Sequence, residues 1–259
     1  MKINRWDDGT ELYHHGIKGQ KWGVRNGPPY PIDHKSMTKG TRLNSVSGRY
    51  WRGQDYLNSG RSIYTFNPDD KWDSAIYRGP FSKYLVMYRG ARFVKEYEFE
   101  TVKDLKMPTR AERVQEFKDL YNDPKFKKAV VKELGSVERL LNAQGVSANA
   151  EKPKNFNFKN LKTDADYAYA YGVFNHAMEA SWYYKSTKEY MNRMENKYDA
   201  MVDDNNQGVY NEAHDPVIIF RANEALKVLN ERYLTADEIV ENYNKVATEL
   251  NKKGKRVKL

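Results

Sequence analysis

The chain has 259 residues, of which 39% are hydrophobic and 31% charged, and its formal net charge is +9. Twenty tyrosines, ten phenylalanines and five tryptophans can build a core, so the composition excludes a disordered polyelectrolyte. The absence of cysteine excludes a disulfide framework, a cysteine-bound metal and thiol catalysis. We also expect no membrane span, because no uninterrupted apolar run approaches about 18 residues. We expect no signal peptide, because the N-terminus, with Asp7, Asp8 and Glu11, has no apolar run.

The positive charge is concentrated at the two ends of the chain. Residues 1–60 carry ten basic and five acidic side chains, and residues 251–259 carry five basic and no acidic ones. A nucleic-acid enzyme would more often spread its basic residues over a folded face. The charge pattern therefore favours a neutral body with basic ends, the last of them a solvated tail, and it keeps nucleic acid only as an alternative partner.

Residues 1–40 are predicted to form an extended arm ahead of an α+β body at 41–250. Pro28, Pro29 and Pro31 exclude a continuous helix or central strand there, because proline lacks the backbone donor. A metal site at His14 and His15 is disfavoured, because neighbouring side chains of an extended segment point in opposite directions and no further ligand completes a site. The arm is better interpreted as a docking peptide, whose candidate contact residues are Tyr13, His14, His15, Lys18, Trp22 and Arg25.

The segment HHGIKGQKWGVRNGPPYP, from His14 to Pro31, resembles a sequence that recurs near the ends of proteins from phages and other mobile elements of Gram-positive bacteria. Several of the proteins that carry it are minor head or other virion-associated proteins. The resemblance implies a phage product that docks to a virion or a host protein, in the host cytoplasm or in the virion.

The first part of the body is predicted to contain strands at 61–66, 84–87 and 93–101. In the last of these, charged and aromatic residues alternate from Glu96 to Glu100, which is typical of a half-buried strand. Helices then follow. A capping box at Thr109–Glu112 starts one, and Asp123-Pro124 starts another that Gly135 can end.

Helical spacing resumes at Thr163 and continues to about Tyr198. Its stripe of Tyr167, Tyr171, Phe174 and Met178 favours a core-packing face over a cofactor box. His176 and Glu179 share a helix face, but without a further ligand they favour packing over a metal site. Strands are predicted again at 200–203 and 216–220, and a second capping box at Thr235–Glu238 starts the last helix.

Three segments of the body resemble phage-borne ADP-ribosyltransferase-like domains: Lys39–Ser47, Ser62–Phe66 with the nearby Trp72-Asp73 and Tyr77-Arg78-Gly79, and Lys197–Asp204 with Pro216–Phe220. The resemblance implies an α+β fold with a mixed sheet and a helical middle section. It also implies NAD as the cofactor and transfer of ADP-ribose to an acceptor, with a glutamate stabilising the oxocarbenium-like centre.

Carried onto this chain, the family pattern makes Arg42 and Ser62 the cofactor-binding candidates. The catalytic candidates are Thr65, Glu212 and Asp215, with Asp203 and Asp204 as weaker substitutes. The chain departs from the pattern at two places. Ser45 stands where the arginine is expected, and His214-Asp215-Pro216 opens the late strand where the family has its glutamate.

The leading hypothesis is a phage protein with a docking arm and an ADP-ribosyltransferase-like body whose NAD chemistry these departures put in question. The first alternative is a non-catalytic virion-associated or host-interaction protein, active for instance in counter-defence. The second is a nucleic-acid-binding accessory protein that uses the basic ends.

Overall fold

The structure, a computed structural model, describes residues 36–49, 51–144, 150–180, 184–203 and 216–254, without the side chains of 144 and 178–180. Glu212, Asp215 and all six docking candidates of the arm lie outside the described residues. Within these ranges, no helix has both the length and the apolar character needed to cross a membrane.

Short strands in the described ranges form antiparallel sheets. They are β1 Ser36–Met37, β2 Arg42–Ser47, β3 Ile63–Thr65, β4 Val94–Thr101, β5 Leu105–Lys106, β6 Ala200–Val202, β7 Val217–Ile219 and β8 Leu226–Leu234. One three-stranded sheet has the order β2-β4-β8 and another the order β3-β7-β6, while β1 pairs with β5. A single bridge between Asn44 and Phe66 joins β2 to β3. The architecture is α+β as predicted, but the described pairs are all antiparallel and divided between separate sheets rather than one mixed sheet.

The helical segments are α1 Gly53–Leu57, α2 Lys71–Ile76, a π-helical turn at Tyr77–Phe81, α3 Ser82–Arg89, α4 Arg110–Tyr121, α5 Pro124–Gln144, α6 Asp164–Ala180, α7 Lys185–Lys197, α8 Ala222–Ala225 and α9 Ala236–Lys252. Both predicted capping boxes are confirmed. The amide of Glu112 donates to the Thr109 hydroxyl at 3.2 Å, and the Glu112 carboxylate accepts from the Thr109 amide at 2.7 Å. Thr235 and Glu238 make the same reciprocal pair at the start of α9.

The helical middle of the chain packs as a layer against the β3-β7-β6 sheet. Its core is formed by aromatic and aliphatic side chains of α4 to α7, among them Phe117, Phe126, Val130, Leu134, Tyr171, Phe174 and Tyr190. Met201 and Ile218 carry the same core onto the sheet. The predicted packing face on α6 is confirmed, since Tyr167, Tyr171 and Phe174 are all buried.

Two predictions, one about the type of an element and one about where a helix ends, were wrong. The predicted strand at 84–87 lies in α3, because this segment continues without a break from the π-helical turn that packs on α9. Gly135 does not end α5, which continues to Gln144 because Val137 and Leu141 extend its buried face. Burial of those side chains offsets the cost of about 1 kcal/mol for an interior helical glycine.

The predicted helix from Thr163 to Tyr198 is present as two helices, α6 and α7, with residues 181–183 between them outside the described ranges.

The predicted strand at 93–101 is confirmed as β4, but it is not half-buried at its start. Lys95 is 4% and Glu96 0% exposed, because α1 covers one face of the sheet and the π-helical turn lies on the other.

The π-helical turn makes a very close backbone contact with α9. A Cβ built on Gly79 would lie 2.4 Å from the backbone nitrogen of Tyr243, so only glycine fits there. This contact fixes the turn and the following α3 against α9.

We therefore expect Gly79→Ala to destabilise the protein by about 3 kcal/mol, since neither backbone can move aside cheaply. This corresponds to a fall of about 5–10 °C in melting temperature, measured by circular dichroism. Gly135→Ala is the matched control, because its Cβ meets no atom within 4 Å in the middle of α5. It should raise the melting temperature slightly, and equal effects of the two variants would contradict the described contact.

Candidate functional site: the Ser45–Tyr56 site

The two faces of β2 present different chemistry. Ser45 and Leu43 lie on one face, opposite Tyr97 and Phe99 of β4 in the strand register, while Asn44 lies on the other face. Ser45 is 1% exposed although it is polar, so its hydroxyl needs a partner inside the protein.

That partner is supplied by α1, which is pressed onto the sheet at its first residue. A Cβ on Gly53 would lie 2.6 Å from Cγ1 of Val228 on β8, so glycine allows the helix to begin directly on the strand. The Gly53 amide also donates to the carboxylate of Glu231 on β8. These contacts set the orientation in which α1 carries Tyr56 towards β2.

The Tyr56 hydroxyl lies 3.2 Å from the Ser45 hydroxyl, within hydrogen-bond distance. Its ring lies 4.6 Å from the ring of Tyr97, whose own hydroxyl donates to the Trp51 carbonyl at 3.0 Å. Lys95 donates to the same carbonyl at 2.9 Å. We call Ser45, Tyr56, Tyr97 and the two nearby arginines Arg49 and Arg61 the Ser45–Tyr56 site.

Burial raises the pKa of Tyr56, while the Ser45 hydrogen bond and the charges of Arg49 and Arg61 act in the opposite direction. Burial also raises the pKa of Tyr97. Both phenols are therefore neutral at physiological pH and act as hydrogen-bonding groups. Arg49 and Arg61 are exposed and Tyr56 is partly exposed, so the site offers one phenol ring and two cations to a ligand, with Ser45 and Tyr97 buried behind them. Such a set can bind an anionic ligand that contains a flat ring.

The side of the site formed by β8 carries an ion pair. Lys95 lies 2.9 Å from the Glu231 carboxylate, and this hydrogen-bonded contact lowers the pKa of Glu231. The paired lysine and carboxylate hold the segment that leads into α1, because Lys95 also binds the Trp51 carbonyl and Glu231 binds the Gly53 amide.

The opposite face of the same sheet is organised around Glu96. Its Oε1 accepts from Asn44 at 2.8 Å and from Nε and Nη2 of Arg78 at 2.9 and 2.7 Å. Nη2 of Arg232 lies 2.9 Å from its Oε2. A buried carboxylate between two arginines has its charge balanced, and here it links β2, the π-helical turn and β8.

The sequence-predicted site residues that the structure describes are not gathered around one point. Arg42 is exposed at the first position of β2, opposite Glu100 of β4. Thr65 is 0% exposed, and its hydroxyl donates to the Val217 carbonyl at 3.0 Å. The Asn44–Phe66 bridge places Thr65 across from Ser45, not from Arg42. Ser62 is half-buried immediately before β3.

The histidine that could have suggested a metal is a packed side chain. His176 on α6 is 8% exposed, and the side chain of its proposed partner Glu179 is outside the described part. No group of three or more histidine, aspartate or glutamate side chains in the described ranges could hold a metal ion.

Sequence reasoning missed Tyr56 and Tyr97 as site residues, and it did not foresee that Glu96 is buried. A tyrosine in a five-residue helix carries no periodic signal, and the pairing of Tyr56 with Ser45 depends on a contact between separate elements. The alternation in β4 did place Tyr97 and Glu96 on opposite faces, which the structure confirms. The sequence did not show that both faces of β4 are covered, one by α1 and the other by the π-helical turn.

Comparison of the chain with protein-family models, with curated proteins and with solved structures finds no significant match.

We expect Tyr56→Phe to cost about 1 kcal/mol at neutral pH, because it removes the hydroxyl that pairs with buried Ser45. It should also make stability fall less steeply above about pH 10. A raised tyrosine pKa stabilises the fold below the unfolded pKa of about 10, and this stabilisation is lost as the pH rises through the folded pKa.

The measurement is the unfolding free energy between pH 8 and 11, from urea titration followed by circular dichroism. Tyr88→Phe, at an exposed position of α3, is the control and should leave the profile unchanged. A Tyr56→Phe profile identical to the wild type would contradict the burial of this phenol.

Proposed function

We propose that the body is an ADP-ribosyltransferase-like domain that binds NAD at the Ser45–Tyr56 site, in a phage protein whose arm docks to a virion or a host protein. The observation that carries the proposal is the order in which three strands meet. The resemblance implied a cofactor strand, a Ser/Thr strand and a late acidic strand, and these correspond to β2, β3 and β7. In the structure β2 is bridged to β3, and β3 pairs with β7.

The cations of the site suit a dinucleotide. Arg49 and Arg61 are exposed beside Tyr56 and can bind the diphosphate, since guanidinium groups match phosphate oxygens in charge and geometry. Arg42 is less suited to this role, because it lies on the face of β2 that Ser45 does not share. The partly exposed ring of Tyr56, backed by the buried ring of Tyr97, offers an aromatic surface to a base or to nicotinamide.

The reaction would need an acid close to the ribose. The bond between the ribose C1 and the nicotinamide nitrogen breaks, and nicotinamide leaves with the bonding electrons. The acceptor or water then bonds to C1 and loses a proton. A carboxylate stabilises the positive charge that develops at C1. Asp215 precedes Val217 by two residues, and Val217 is the partner of Thr65 in the strand register, so Asp215 and Glu212 are the acids proposed for this role.

A non-catalytic virion-associated or host-interaction protein is the second candidate, and two observations favour it. Thr65 is fully buried with its hydroxyl bonded to a backbone carbonyl, so it is not available to a ligand. Ser45 stands where the resemblance led us to expect the cofactor-binding arginine. In this case the same fold would serve as a scaffold for the arm.

If the body binds NAD, isothermal titration calorimetry of the full chain with NAD should give a saturable signal at or below millimolar concentration. Arg61→Gln should weaken that binding about tenfold to a hundredfold, because it removes a charge-assisted contact to phosphate. Release of nicotinamide should be lost in Glu212→Gln or Asp215→Asn while binding is kept. Glu151→Gln, at an exposed position away from these strands, is the matched control.

The outcomes separate the two candidates. If NAD binds but no preparation releases nicotinamide, the second candidate is favoured, as a non-catalytic scaffold that has kept its cofactor site. The absence of any binding at millimolar NAD contradicts the proposed site itself.

A further inference from the structure

We propose that α3 and the adjoining turn of α9 form a binding surface for single-stranded nucleic acid. We call this surface the α3–α9 face and define it by Lys83, Tyr84, Tyr88, Arg89 and Arg92 together with Tyr243. It lies within the body, whereas the excess charge of the sequence lies at the ends.

The first observation is an uncompensated positive charge. The segment from Ser74 to Lys95 contains five basic residues and no acidic one. Arg78 and Lys95 are neutralised by Glu96 and Glu231. Lys83, Arg89 and Arg92 form no ion pair with any carboxylate among the described residues. Three cations are therefore available to anionic groups of a partner.

The second observation is how two of these cations are placed. The Lys83 Nζ lies 3.7 Å from the centre of the Tyr243 ring, and the Arg89 guanidinium lies 5.6 Å from that of Tyr84. These cations are held beside aromatic rings rather than beside carboxylates. A surface on which charge and aromatic rings alternate is typical of proteins that bind single strands.

The third observation is a stacked pair of rings, of which Tyr88 is exposed. Tyr84 and Tyr88 are one helical turn apart, and their ring centres are 5.6 Å apart with an angle of 27° between the planes. Tyr88 is 58% exposed and the neighbouring Met87 56% exposed. An unpaired base can stack on an exposed tyrosine while its phosphates reach the adjacent cations.

A second cation–aromatic pair lies at the C-terminal end of α9. The Lys253 Nζ lies 5.2 Å from the ring of Trp72, about ten residues beyond Tyr243. Ten residues of helix correspond to about 15 Å, which is the length of a few nucleotides. An acidic peptide would use the cations but not the exposed rings, so the combination favours nucleic acid as the partner.

The test is fluorescence anisotropy of labelled oligothymidylate, dT15, with the full chain at several salt concentrations. Three phosphate contacts predict a slope of about −2 for the logarithm of the binding constant against that of salt concentration. The double variant Lys83→Gln/Arg89→Gln should bring the slope to about −1. Tyr88→Ala should weaken binding about fivefold to a hundredfold, and Tyr88→Phe should restore it.

Lys128→Gln/Lys132→Gln is the matched control, because it removes the same charge from exposed positions of α5. Melting curves of all variants should coincide with the wild type, since the changed side chains do not belong to the core. Equal losses in the two double variants, or binding that persists unchanged in Lys83→Gln/Arg89→Gln, would overturn the proposal. Unchanged binding in Lys83→Gln/Arg89→Gln would assign the binding to the basic ends of the chain. Displacement of dT15 by poly-glutamate at equal charge concentration would also overturn it, in favour of an acidic protein partner.

Discussion

The buried carboxylate of Glu96 is the contact on which the rest of the structure depends. It connects Asn44 of β2, Arg78 of the π-helical turn and Arg232 of β8, and Arg232 continues to Glu238 at the start of α9. Each of these groups would be costly to bury alone. Breaking a buried ion pair by removing one partner typically costs about 3–5 kcal/mol, because it leaves the other charge uncompensated. The sheet and the helices on this face are therefore stabilised together.

This arrangement divides the β2-β4-β8 sheet into two faces with different properties. On the Glu96 face, polar groups are paired with each other, and the glycine contact at Gly79 fixes the neighbouring turn on α9. On the other face, Ser45 and Tyr56 pair through hydroxyls next to exposed arginines, which leaves charge accessible to solvent. The α3–α9 face depends on the first set of contacts, because the same turn that presents Arg78 to Glu96 leads directly into α3. The Ser45–Tyr56 site instead rests on the Lys95–Glu231 pair, which holds the segment that leads into α1.

The sequence predicted the elements whose signals are local. Capping boxes at Thr109 and Thr235 marked helix starts correctly, and the buried face of α6 followed from its periodicity. The prediction was wrong where packing of distant elements decides the outcome. Residues 84–87 are compatible with a strand, but they lie in α3 because the preceding turn packs on α9, more than 150 residues later in the chain.

The contrast between local signals and packing of distant elements also explains what could be predicted of the candidate site. The resemblance selected β2, β3 and β7, and these strands are neighbours in the structure, but the side chains that form the site were not foreseen. Tyr56 reaches Ser45 only because Gly53 allows α1 to lie on β8, a strand near the end of the chain that the sequence analysis did not predict. A pairing between residues 45 and 56 that depends on residue 228 has no signal in any local pattern.

The most direct test of this account is to map NAD on the folded chain by backbone amide chemical shifts in a nuclear magnetic resonance titration. The account predicts that the largest shifts fall at Ser45, Tyr56 and Arg61, while the amides around Glu96 on the opposite face change little. Shifts confined to the α3–α9 face, or no shifts at millimolar NAD, would contradict the assignment of the Ser45–Tyr56 site as the cofactor site.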